Sequence, residues 1–335
     1  MEPNAIWFSI VFVLFAGFAV LDAFDLGVGS LQFLWRTDAE RRRAIDTVRP
    51  VWDGHELWLL AAGAALFVAF PPVFTFVISA FGALLAVVLL AFIGRAVSID
   101  SCVWSCSPDE QRRANWDVVV ASALPPFLLG VALGNVMRGL PLDSAGRYDG
   151  NFLSLFNPFA LLIGVLTVLL FAMHGALYLE SRTEGSMRER LQKWILPLWC
   201  VFAVFHLIAV AATAWWSSHL FVGIPARPAF WVLAVLWLAG MVSVPVLVTM
   251  KNYKLASIGS AATIAAMVGL VGVALFPRLV PSSGPGTGLT LDNAAAAPDA
   301  WRTVTVIGLI VISMFATVGA SVYRASRRGT LTRIA

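Results

Sequence analysis

The chain has 335 residues, of which 59% are hydrophobic and only 13% charged, and its mean hydropathy is +0.84. A soluble domain carries about a quarter charged residues, so this composition excludes an ordinary cytosolic enzyme, a nucleic-acid binder and a disordered chain. The net charge of +4 has to be read loop by loop, as in any membrane protein.

The N-terminal MEPNAIWF runs into apolar sequence with no Lys or Arg and no small-residue cleavage site. It reads as a first membrane helix rather than a cleaved signal. Apolar runs lie at about 5–34, 51–71, 73–94, 118–138, 157–179, 195–216, 229–250, 256–276 and 303–323. Each is near the length, about 20 residues, that crosses a bilayer core. The chain is therefore expected to be an all-α integral membrane protein of nine transmembrane helices. The second and third runs are separated by Pro71-Pro72 alone, because the sequence from Leu57 to Ile93 carries no charge. A stretch that long exceeds one crossing, and a tight hairpin at the prolines is expected. Asn157-Pro158 should start the fifth span, Pro125-Pro126 should kink the fourth, and G-V-A-L-G-N at 130–135 offers small residues for close packing. The outer loops at about 139–156 and 277–302 are rich in Pro, Gly, Ser and Asn, and neither resembles a folded domain. The whole of 1–335 is read as one transmembrane domain, with four-helix bundling as its natural packing.

Orientation follows from Lys and Arg in alternate loops. The loops after odd-numbered spans, with the C-terminal tail, hold 18 of the 23 basic residues, and the opposite side holds 5. The N-terminus should lie outside and the C-terminus in the cytoplasm. Arg41, Arg42 and Arg43 are then a topology signal, with lipid head-group contact as a lesser use.

Charges inside apolar segments are expensive and need a partner, a wet cavity or a function. Asp22 and Asp25, in L-D-A-F-D-L-G-V-G, share one helical face at spacing i, i+3. Counted from residue 5 on the outside, Asp22 lies about 25 Å in, toward the cytoplasm. The competing reading is that the first helix ends earlier and leaves the pair solvated. Gly27 and Gly29 form no phosphate loop, because no strand precedes them, and close helix packing is the stronger reading. The second span opens P-V-W-D-G-H-E-L-W, which puts Asp53, His55 and Glu56 at the same depth. Asp53 and Glu56 also fit a capping box, and a proton-handling role is compatible with capping. Trp52 and Trp58 flank this group as interface anchors or functional groups. Arg95, Asp100 and Asp117 lie at predicted helix ends, where solvation is the default.

Haem is the next candidate, because bundle proteins often hold it between facing histidines. Of His55, His174, His206 and His219, no two are matched in depth, so hydrogen-bonded packing is the commoner alternative. No metal site is expected: Cys102 and Cys106 form C-x3-C in a short polar loop without further zinc ligands nearby, and Cys200 lies in an apolar segment.

Taken in order, these motifs resemble subunit II of the cytochrome bd quinol oxidases. The resemblance rests on D-A-F-D-L-G-V-G at 22–29, P-V-W-D-G-H-E-L-W-L at 50–59, A-G-A-A-L-F-V-A-F-P at 62–71 and P-P-F-L-L-G-V-A-L-G-N at 125–135. It continues through G-N-F-L-S-L-F-N-P-F-A-L-L at 150–162, H-G-A-L-Y-L-E-S-R-T at 174–183, F-P-R-L-V-P-S-S at 276–283 and L-T-L-D-N-A-A at 289–295. It implies two four-helix bundles plus one peripheral helix in a bacterial inner membrane. It also implies a non-haem subunit that supports a homologous subunit I, the carrier of haem b, haem d and the quinol-oxidising loop. Oxygen is reduced there to water with electrons from membrane quinol, and charge separates without a proton pump. By the same resemblance, Asp22, Asp25, Trp52 and Asp53 match positions of a proton path from the cytoplasm, with Glu56 beside them and no catalytic residue in this chain. The partners implied are subunit I, membrane lipid and quinone, with room for small accessory transmembrane subunits. One departure stands out: the position after W-D-G is commonly Asn in the family and is His55 here, a potential modulator of proton uptake. Two rival classes remain at this point, a proton-coupled secondary transporter using Asp22 and Asp25 and a purely structural subunit.

Overall fold

The computed structural model describes residues 3–50, 52–101, 108–143, 146–284 and 288–297. The ninth predicted span at 303–323, together with Cys102 and Cys106, lies outside the described residues. Of Trp52, Asp53 and Asp100 only the helical backbone is described.

Nine α-helices follow one another among the described residues: α1 (Pro3–Ser30), α2 (Asp38–Asp46), α3 (Trp52–Ala69), α4 (Pro71–Ser101), α5 (Pro108–Arg138), α6 (Pro158–Glu180), α7 (Gly185–Trp216), α8 (Pro228–Thr249) and α9 (Tyr253–Leu275). Seven are long and apolar enough to cross a membrane, and α3 supplies a shorter apolar segment, Gly54–Ala69. The first eight predicted spans are thus α1 and α3 to α9. α5 and α7 begin about ten residues before the apolar runs that foretold them, because their first turns are polar and carry no hydrophobic signal.

The expected hairpin is present. α3 ends at Ala69 and α4 starts at Pro71, whose ring lacks the N–H needed to continue the earlier helix. Asn157 caps α6, its side chain accepting the Ala160 N–H at 3.0 Å ahead of Pro158 in the first turn. α5 runs through Pro125 and Pro126 as one helix.

The short α2 was not anticipated. Its nine residues, DAERRRAID, carry no apolar period, and a capping box starts them. Thr37 Oγ1 accepts the Glu40 N–H at 3.2 Å, and the Glu40 carboxylate accepts in return from the Thr37 N–H at 3.4 Å and also from the Arg36 N–H at 2.9 Å. Glu40 also receives Arg190 of α7 at 3.0 Å. Slight burial pushes its carboxyl up, but the Arg36 N–H, then Arg190 and the Thr37 N–H, hold it net below the ordinary range.

At the other end, the two polar loops knit together. β1 (Arg278–Val280) pairs antiparallel with β2 (Leu289–Thr290). The Leu140 N–H donates to the Pro281 carbonyl at 3.0 Å and the Ser283 N–H to the Leu140 carbonyl at 2.9 Å. Asn4 at the start of α1 donates to the Leu291 carbonyl at 3.1 Å, and the Ala296 N–H to the carbonyl of Ala69 at the hairpin. The chain start, the α3–α4 hairpin and both of these loops therefore share one end. α2 and the α6–α7 turn share the other, where the Tyr178 hydroxyl donates to the Thr47 carbonyl at 3.2 Å. These loops thus fall at two opposite ends of the helices.

Between the ends, α1 packs on α3, α5, α6 and α9, while α5 and α8 lie along α6 and α9 respectively. In lipid, helices associate through close van der Waals contact rather than through exclusion of water, and small residues allow it. A Cβ added at Gly175 of α6 would stand 2.5–2.7 Å from the backbone of Gly27 and Val28 on α1. One added at Gly130 or Gly134 of α5 would stand 2.8 Å from the Cα of Gly164 or Ala160 on α6. Large apolar side chains such as Leu90, Leu153 and Val232 point outward instead, 65%, 78% and 69% exposed. This contact geometry predicts that Gly175→Ala lowers the stability of the purified protein by about 1–3 kcal/mol through overpacking. Gly63→Ala, whose added carbon meets nothing within 4 Å, is neutral or slightly stabilising. Thermal unfolding in detergent compares the two, and equal midpoints would refute the α1–α6 backbone contact.

Candidate functional site: a buried carboxylate cluster

α1 continues five residues past Asp25, so the two acids lie inside the helix and not at a solvated end. Both are fully buried. The i, i+3 spacing presents them on one face, and three other helices bring polar groups to it.

α4 brings Arg95, which is also fully buried. Its guanidinium forks onto Asp25: Nη2 pairs with Oδ1, and Nη1 donates to Oδ2 at 3.4 Å. This corrects the expectation that Arg95 is solvated at a helix end. α4 runs on to Ser101, so Arg95 sits within the helix and leaves the loop count on which orientation was reckoned. The signal for it was a lone Arg following 38 charge-free residues, Leu57 to Gly94, and followed directly by Ala96-Val97. Asp117, by contrast, is exposed as expected.

α3 brings His55 and Glu56. His55 Nδ1 lies 3.9 Å from Asp25 Oδ2, and 12% of the His55 side chain reaches the surface. Glu56 is half-buried. The Phe24 ring meets the His55 ring edge-on at 4.8 Å and stacks on Tyr178 at 4.3 Å, which fixes the imidazole from the side. Asp53 falls on the second residue of α3, already within the helix rather than ahead of it as an N-cap. Trp58 lies against Gly17 of α1, between the two helices. From α5, Ser122 is fully buried beside Gly29. Gly29 therefore serves close packing, as the sequence indicated, here against Ser122 and the arm of Arg95.

Asp22 differs from its neighbour. Neither carboxylate oxygen has a hydrogen-bond partner among the described residues. The charges acting on it are those of Asp25, Arg95 and Glu56. The structure thus brings Asp22, Asp25, His55 and Glu56 together around a guanidinium that the sequence reading did not include.

The four imidazoles occupy separate surroundings. His174 Nδ1 is engaged by the Ser260 hydroxyl at 2.9 Å, and His206 lies between the rings of Phe202 and Trp237 at 5.7 and 5.3 Å. His55 faces Asp25, and His219 lies in a short 3-10 turn after α7.

A sequence profile described as Cytochrome bd terminal oxidase subunit II matches residues 3–325. The chain belongs to that family. It is 32% identical to cytochrome bd-I ubiquinol oxidase subunit 2 of Escherichia coli K12, covering 92% of this chain and 89% of that one. It is 31% identical to cytochrome bd ubiquinol oxidase subunit 2 of Bacillus subtilis 168, covering 92% and 90%. Among solved structures, the bd oxidase of Geobacillus thermodenitrificans superposes with a TM-score of 0.73 at 14% identity, covering 97% of this chain and 98% of that chain, a likeness of fold.

In this subunit II the Arg95–Asp25 pair is the costliest feature to break. Removing one partner of a buried pair leaves an uncompensated charge and costs about 3–5 kcal/mol, whereas replacing both by apolar groups is often neutral. Arg95→Gln is therefore expected to reduce the yield and thermal midpoint of the purified complex, and the double variant Asp25→Leu/Arg95→Leu to recover most of that loss. A single variant as stable as the parent would show that the pair does not hold α1 to α4.

Proposed function

We propose that this chain is the non-haem subunit of a bd-type terminal oxidase, which reduces oxygen to water with electrons from membrane quinol. The observation that carries this reading is the family match over nearly the whole chain. In the complex, a haem-bearing subunit I holds haem b and haem d and oxidises quinol, and this chain supports it. Nothing catalytic is assigned to this chain, whose own residues hold and move protons.

The proposed architecture completes eight apolar segments with a ninth helix at 303–323, in a single domain over 1–335. The spans group as two four-helix bundles, α1 with α3 to α5 and α6 to α9, and the ninth is peripheral. Within the first group α1 packs on α3 and α5 and α4 on α5, within the second α6 packs on α7 and α8 on α9, and α1 and α5 join the two groups through α6. The N-terminus lies outside the bacterial inner membrane and the C-terminus in the cytoplasm, which the basic-residue bias and the segregation of loops to two ends support.

The buried cluster is the proposed proton path from the cytoplasm. Trp52 and Asp53 open α3 at the cytoplasmic end, Glu56 and His55 stand one turn further, and Asp22 and Asp25 lie inside. A carboxylate relay suits this depth, because buried ionisable residues in membrane helices mark proton routes more often than packing. Arg95 positions Asp25 and offsets one of the two negative charges. A transporter reading is not favoured, since the family match over nearly the whole chain is to a subunit of a bd-type oxidase.

The test is a reduced-minus-oxidised visible spectrum of the detergent-purified complex tagged on this chain, with quinol-driven oxygen uptake measured alongside. Haem b and d bands with uptake are expected, and a haem-free protein without a large partner would overturn the assignment. Asp53→Asn and Asp22→Asn are each expected to slow uptake by about 10²-fold, the lower end of what a positioned proton-transfer group contributes. Full activity with a normal spectrum in either variant removes that residue from the path.

A further inference from the structure

Asp22, Asp25 and His55 each offer one ligand atom to a common point, and the three atoms lie within 4.8 Å of one another. In a tetrahedral site with bonds of about 2.0–2.2 Å, donor atoms stand roughly 3.4 Å apart. Closing the triangle therefore takes side-chain shifts of about 1 Å and no movement of α1 or α3. The atoms are also disposed for it. Arg95 occupies Asp25 Oδ1 most closely, which leaves Oδ2 toward the imidazole, and His55 Nδ1 makes no hydrogen bond there. Independently of the cluster, Asp22 aims two buried, unpartnered carboxylate oxygens into the same space.

We propose that Asp22, Asp25 and His55 form a binding site for a divalent transition-metal cation of the zinc class. The donor set selects it: one imidazole and two carboxylates suit Zn2+ and its first-row neighbours, whereas Mg2+ and Ca2+ take oxygen ligands and Cu(I) takes sulfur. Charge balance favours it as well. Two carboxylates, the Arg95 guanidinium and a divalent ion sum to one positive charge, which a metal-bound hydroxide or the Glu56 carboxylate brings to zero. Zinc ionises its own water near pH 7, so the fourth ligand position supplies that hydroxide. The route in passes the one ligand that touches the surface, His55. Bound there, the ion staples α1 to α3 and displaces protons from its ligands. If the cluster is the proton path proposed above, and only then, the metal also blocks proton uptake and inhibits quinol oxidation.

The experiment uses the whole purified complex and Zn2+ as the probe. Binding is measured by competition with a chromogenic chelator, and the ligand shell by X-ray absorption at the zinc edge. The expected result is a site with one imidazole nitrogen and oxygen donors at about 2.0 Å. His55→Asn and Asp22→Asn should each weaken it by at least about tenfold. His219→Asn, at the far end of the molecule, should leave it unchanged. Equal affinity in parent and His55→Asn complexes overturns the proposal, as does a zinc shell without nitrogen in the parent, which needs no variant to fold. Binding that His55→Asn abolishes, together with quinol oxidation unaffected by zinc, upholds the metal site and counts against the proton path.

Discussion

A guanidinium and a carboxylate, both out of reach of water, set the terms for the rest of this molecule. Each charge alone would cost several kcal/mol to bury, and together they are tolerated only if their geometry is close and their surroundings dry. Asp25 is on α1 and Arg95 on α4, so the pair couples helices whose backbones stand farther apart than those of α1 and its glycine-mediated neighbours. The Arg95 arm needs a channel to pass. Gly29 and Ser122 line it, because a larger residue at Gly29 would collide with Ser122 and crowd the arm. Small residues on α1 thus do two things: at Gly27 they bring α6 close, and at Gly29 they leave room for a charge.

The glycine contacts explain why the cluster is rigid enough to matter. α1 cannot slide along α6 while Gly27 and Gly175 interlock backbone to backbone. It cannot rotate without carrying Asp22 and Asp25 off the face shared with α3 and α4. Its N-terminal end is tied by Asn4 to Leu291, and beyond its C-terminal end Arg190 donates to the carbonyl of Leu34 at 3.2 Å. Position, rotation and depth of the acids are each fixed by a different contact.

How much of this was legible in the sequence depends on which interaction carries the signal. Spans announce themselves through mean hydropathy, and the Pro71 hairpin and Asn157 cap through local backbone chemistry, so all three could be read residue by residue. α2 could not, because DAERRRAID has no apolar stripe and is held by a capping box and by Arg190 from 150 positions away. The knitting of the two outer loops escaped for the same reason, since its partners, Leu140 and Pro281, are remote in the chain. The acids of the cluster were visible as charges in apolar sequence. Arg95 was as anomalous as they were, but it lay at the edge of a hydropathy window, and basic residues at edges are ordinarily topology signals. Depth along a helix is not a property of composition, and the partner that reveals it is 70 residues away.

Within the proposed path, the two acids of α1 are unequal, and the inequality follows from one helical turn. Asp25 is gripped by the Arg95 guanidinium, and breaking that pair would leave a buried charge uncompensated. Asp22 has no such partner. Neither of its protonation states is locked by a hydrogen bond, and a proton can arrive or leave without breaking one. Asp22 is thus the group fitted to exchange and Asp25 the group fitted to supply a fixed field. His55 adds to that field an imidazole whose Nδ1 lies 3.9 Å from Asp25 Oδ2. With Asp22 and Asp25 fully buried, the partly exposed His55 is where this cluster meets its surroundings, beside the pair that holds α1 to α4.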